Sequence, residues 1–222
     1  MPSVKMPKKS TVTDMTPFVD VSFLILFFFI MATKFKPQAP VEITTPKSVS
    51  SDKLKEQDAV QVEMDKLGRV FFAVNVQKES EESNGLKKNL IQNVNEARNL
   101  GLTEAEMNSF VKNTIIGVPF NKLKSYLDLD DAHRKEVFEG IPVTDSSNNE
   151  LATWIAAAQH AFAGKKMNFM IKGDNEAKYP SFKGVIDAMR RNEVFKYQLI
   201  TDPEGVPYGT DLYKLQQKKG AS

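Results

Sequence analysis

The sequence contains no cysteine and only two histidines, His133 and His160. No disulfide framework and no thiolate metal site is possible, and a His-rich metal site is excluded. Any Ser–His–Asp arrangement would have to use one of those two imidazoles. An excess of one charge is also missing. The 30 Lys and Arg stand against 28 Asp and Glu, which leaves a net charge of +2. No basic run is interleaved with aromatics, so no nucleic-acid partner is expected. The sequence also lacks a Gly-rich phosphate loop, a G-x-S-x-G and an H-E-x-x-H. No enzyme activity, cofactor or metal is expected from it.

The 222 residues suffice for one medium domain or two small ones. Their mean hydropathy of −0.36 is that of a soluble globular chain. One segment departs from the average. Residues 18–32 read FVDVSFLILFFFIMA, and their only charge is Asp20. At about 1.5 Å per residue the segment covers roughly 22 Å, against a hydrocarbon core of about 30 Å. Extended over residues 15–35, with Lys34 and Lys36 snorkelling outward, it reaches across. A cleaved signal peptide would need small residues where Lys34 and Lys36 stand. A buried core helix would have to bury every face of an all-apolar run. The expected reading is a retained membrane anchor. Lys5, Lys8 and Lys9 precede it with only Asp14 opposing them, which places residues 1–14 in the cytoplasm. The remainder then lies outside, which in a two-membrane bacterium means the periplasm.

Asp20 is the informative residue. An Asp at a helix centre costs about 2.5–3.5 kcal/mol on insertion, and Asp20, about one turn in, costs less. It either snorkels to the near interface or faces a protein interior and exchanges protons. Phe23, Leu24, Phe27 and Met31 lie at i+3, i+4, i+7 and i+11 from it, with no ionisable partner on that face. One charge crossing the membrane yields about 2.3 kcal/mol per 100 mV. That energy is usable if protonation changes how the helix packs.

The stretch TDMTPFVDVSFLILFFFIMAT, residues 13–33, resembles the start of the ExbD/TolR family. The Thr-Pro-(apolar)-(apolar)-Asp-Val pattern of that family is met by Thr16, Pro17, Phe18, Val19, Asp20 and Val21. Pro17 suits a first helical turn. The resemblance implies that Asp20 carries protons and that Phe23, Leu24, Phe27 and Met31 form the pore-facing side. It also implies that two copies of the helix sit inside an ExbB-like or TolQ-like pentamer. A Val-x-(apolar)-x-Leu-Pro segment follows the helix in the family. Here Val41, Ile43 and Pro46 keep that pattern while Thr45 replaces the Leu, a departure that bears on docking of a TonB-like partner there.

The outer part is expected to be α+β, a small periplasmic α/β sandwich domain carrying a helical insertion. Residues 36–57 are rich in Pro, Ser, Thr and charge, and read as a linker with one extended patch at 41–45. Residues 58–222 form the domain. Val60, Val62 and Met64 alternate, Gly68 turns the chain, and residues 69–76 complete a hairpin. Helices are expected over 150–163, ending at Gly164, and over 179–194. Strands are expected over 167–172 and 197–201. This order resembles the family's small domain.

Residues 78–149 have no counterpart in short members of the family. Leu86, Leu90, Ile91 and Val94 mark one helix, a Thr103–Glu106 capping box starts a second, and Phe120, Leu123 and Leu127 mark a third. Asp128, Asp130 and Asp131 precede a fourth containing His133, Val137 and Phe138. They lack the Gly and terminal Glu of a calcium loop, so helix capping is their expected role. The insertion reads as a helical subdomain. Trp154 is expected in the core and His160 at or near the surface.

The function expected from this resemblance is a proton-driven energy-transducing subunit serving TonB-dependent outer-membrane transport. A TolR-like envelope-integrity subunit is the alternative branch. A membrane-anchored binding module without ion coupling is the alternative from another class.

Overall fold

A computed structural model describes residues 15–32, 41–49, 58–76 and 80–214. The chain divides into two compact units, residues 1–39 and 40–222. In the first unit, helix α1 (Thr16–Ala32) is the described element. Seventeen residues cover about 25 Å, and among the described residues no helix is long and apolar enough to cross a membrane. The expected span of 15–35 is described only over residues 15–32, too short a stretch to cross a membrane. Its last three residues lie outside the described ones, as do the flanking Lys5, Lys8, Lys9, Lys34 and Lys36.

The second unit is mixed α+β. Its main sheet is built on the expected hairpin, β2 (Ala59–Met64) antiparallel to β3 (Val70–Asn75). The buried Asp65 builds the turn, its carboxylate accepting from Arg69 N at 2.8 Å and Arg69 Nε at 2.6 Å. Gly68 completes it at φ +84°, where an added Cβ would meet Ser181 Oγ at 2.7 Å. Strands β4 (Asn168–Gly173) and β5 (Gln198–Ile200) add in parallel, giving the order β3-β2-β4-β5. A second sheet pairs two-residue strands β1 (Lys47–Ser48) and β6 (Asp202–Pro203) in parallel.

Helices α2 (Glu81–Arg98), α3 (Glu104–Lys112), α4 (Phe120–Leu127) and α6 (Glu150–Ala161) follow the hairpin, and α7 (Tyr179–Arg191) lies between β4 and β5. The expected fourth helix of the insertion is shorter than its pattern suggests. A single turn, α5 (Asp131–Arg134), passes into a 3-10 turn over Lys135–Val137, and Phe138 is extended. Helix α6 stops at Phe162, with Gly164 left-handed two residues on. Helix α7 ends at Asn192, whose side-chain amide donates back to Ala152 O and Ala188 O at 2.9 Å.

The insertion has no core of its own. Trp154 of α6 is fully buried, tilted against Phe72 of β3 at 5.3 Å. It is also stacked on Phe110 at 5.9 Å and Phe120 at 5.7 Å. Apolar side chains of the insertion join Val60, Val62, Ile171, Val185 and Met189 in one continuous cluster. A hydrophobic face is stable only when another element covers it, and here the inserted helices and the sheet cover one another. Glu150 ties the two parts again, accepting from Phe120 N at 2.8 Å in place of a side-chain cap at Pro119.

Candidate functional site

Helix α1 is apolar on every side. Thr16 and Pro17 open it, as the sequence pattern requires, and together with Val19, Asp20 and Phe23 they form one strip of its surface. At 3.6 residues per turn, Phe23, Leu24, Phe27 and Met31 fall within about 60° of Asp20. All four are more than half exposed, as are Val21, Ile25 and Phe29 on the other sides. Apart from Asp20 no ionisable residue lies on α1. The other hydroxyl near mid-helix, Ser22, donates to Phe18 O at 2.8 Å and is satisfied within the helix. A carboxylate on a surface this apolar has no partner on its own helix. Water or groups from outside the helix must supply one.

Residues 41–49 are not a bare linker. Thr44 N donates to Asp174 Oδ2 at 2.9 Å, and Asn175 N donates to Thr44 O at 2.8 Å. Asp202 N then donates to Pro46 O at 3.0 Å, and Glu204 N to Ser48 O at 2.8 Å. The segment is laced between the turn after β4 and the stretch after β5. Thr45, the residue that departs from the family pattern, is buried, while Val41 and Ile43 are half-buried. Pro46 walls an apolar cleft of about 250 Å³ together with Met64, Ile171, Phe182 and Leu199.

Asp174, in the turn after β4, is not among the site residues that the sequence pattern points to. Its carboxylate accepts first from Glu176 N and then from Thr44 N, and these bonds hold it below the usual carboxylate range. Glu63, buried on the sheet beside Lys172, is pushed up by desolvation, which outweighs the Lys172 charge and the Gln61 hydrogen bond. Burial pushes Glu150 up in the same way, against the Phe120 N–H and the Arg98 charge. His133 and His160 are exposed. Among the described residues no cluster of three or more His, Asp and Glu could hold a metal ion.

The family model described as biopolymer transport protein ExbD/TolR matches residues 7–204. No curated protein and no solved structure gives a significant match to the chain.

Proposed function

Because the chain belongs to the ExbD/TolR family, we propose that it is the ion-coupled subunit of an inner-membrane motor and that Asp20 carries the coupling proton. Proteins of this family are anchored in the inner membrane and act as energy-transducing subunits of biopolymer transport. They work with ExbB/TolQ and TonB/TolA partners.

The observation that carries the reading is a single acid about one turn into a helix that is bare and apolar all round. In the proposed assembly, α1 and the residues after it cross the membrane with the N-terminus cytoplasmic. Two copies pair inside a pentamer of the ExbB-like or TolQ-like subunit, which supplies the polar groups that α1 lacks. Neutral and charged Asp20 differ by several kcal/mol in what surroundings they tolerate, so each protonation event favours a different helix packing. The motion passes to residues 41–46, the candidate docking segment for a TonB-like periplasmic partner. The function is transport coupling, not catalysis, and needs no cofactor.

The test is replacement of Asp20 by Asn and by Glu in cells that depend on TonB-linked uptake, with protein level checked. Asp20→Asn should abolish uptake, and Asp20→Glu should retain part of it. Wild-type uptake by the Asn variant would reduce α1 to an anchor.

A further inference from the structure

A bare sheet edge is a template on which another chain can add a strand. The main sheet has two outer strands, β3 and β5. The insertion treats them differently. Phe72 of β3 exchanges both backbone hydrogen bonds with Ile116, each at 2.8 Å. Val70 O accepts from Ile141 N at 2.8 Å, and Val74 O accepts from the Thr114 hydroxyl at 2.8 Å. Ile116 is an isolated partner, not part of a strand of its own.

The side chains complete the seal. Consecutive residues of a strand point to opposite faces, so Phe71 and Phe72 lie on different sides of β3. Phe72 meets Trp154, on which Phe110 and Phe120 stack. Phe71 meets Phe138 edge-on at 5.4 Å, and Tyr126 packs on Phe138 at 5.9 Å. The insertion therefore covers β3 along its edge and, through Phe138, on one face, while Trp154 of α6, itself stacked on Phe110 and Phe120 of the insertion, covers the other. Among the described residues, β5 has a strand on one side only.

We infer that the insertion is an edge guard: it occupies the outward hydrogen-bonding groups of β3, so that a second copy of the chain cannot add a strand there. The inference does not depend on Asp20 or on ion coupling.

The absence of native cysteine allows a direct test in the full chain in detergent. Asn75, exposed at the end of β3, is replaced by Cys, and dimers are trapped with a short thiol cross-linker. A Cys at exposed Tyr179 serves as control. Ile116→Pro removes the donor to Phe72 O, whereas Ile116→Val keeps it. The Asn75 cross-link should rise about fivefold in Ile116→Pro over Ile116→Val, the factor for losing one backbone hydrogen bond. The Tyr179 cross-link should not change. A variant that keeps the near-ultraviolet signal of Trp154 and shows no rise overturns the inference. If Ile116→Pro does not fold, Thr114→Val decides. It removes the hydroxyl bond to Val74 O, and the rise should be about fivefold. No rise in folded Thr114→Val overturns the inference equally.

Discussion

Replacing Phe120 by Ala separates a shared core from an appended helical subdomain. The Phe120 ring is 9% exposed, stacks on Trp154 at 5.7 Å and lies 5.1 Å under the Arg98 guanidinium. Its backbone N–H, bound to Glu150, survives the substitution. The change therefore isolates the ring. Truncating a buried Phe to Ala costs about 3–5 kcal/mol. At about 2–4 °C per kcal/mol for a domain of this size, Tm should fall by roughly 6–20 °C. Urea unfolding followed by far-ultraviolet circular dichroism and by fluorescence of Trp154, the single tryptophan, supplies two probes. Amide exchange at Val62 and Ile171 supplies a third, placed in the sheet. All three should move together in one transition. A variant in which Trp154 fluorescence shifts while Val62 and Ile171 keep wild-type protection would refute the shared core.

Two pH effects follow from the carboxylates. Asp174 is held below the usual carboxylate range, so its contribution is present above the unfolded value and is lost as pH falls through the folded value. Acidification should release residues 41–49 before the domain unfolds, seen as faster amide exchange at Thr44 and Asn175. Asp174→Asn should give the same fast exchange at neutral pH. Glu63 is raised, so the opposite sign applies. Its contribution is fully present below the unfolded value and is lost as pH rises through the folded value. Glu63→Gln should therefore stabilise the domain at neutral pH and do little in acid, measured as Tm against pH.

The parts legible in the sequence were those with local period. Val60, Val62 and Met64 announced β2 by alternation, and Leu151, Trp154, Ile155 and Ala158 announced α6 by helical spacing. Thr103 and Glu106 form the expected capping box. Strands β1 and β6 were not legible, because two residues carry no alternation and their partners lie far apart in the chain. The Thr44–Asp174 bond spans 130 residues and leaves no local pattern. The covering of β3 was hidden for a related reason. VFFAVN is buried on both faces over its first five residues, so it reads as a plain apolar run that does not name what covers it. At α1 the sequence showed the acid and its apolar surroundings. In the proposed assembly the groups that meet Asp20 belong to other chains, which this sequence does not contain.

Ion coupling at Asp20 is tested most directly by proton flux. The chain is reconstituted in vesicles with its ExbB-like or TolQ-like partner, and proton entry driven by a membrane potential is followed with an internal pH dye. The wild-type complex should conduct, and the complex carrying Asp20→Asn should fall to the level of vesicles without protein. Equal flux through both complexes, at equal incorporation, would contradict the assignment of Asp20 as the proton carrier.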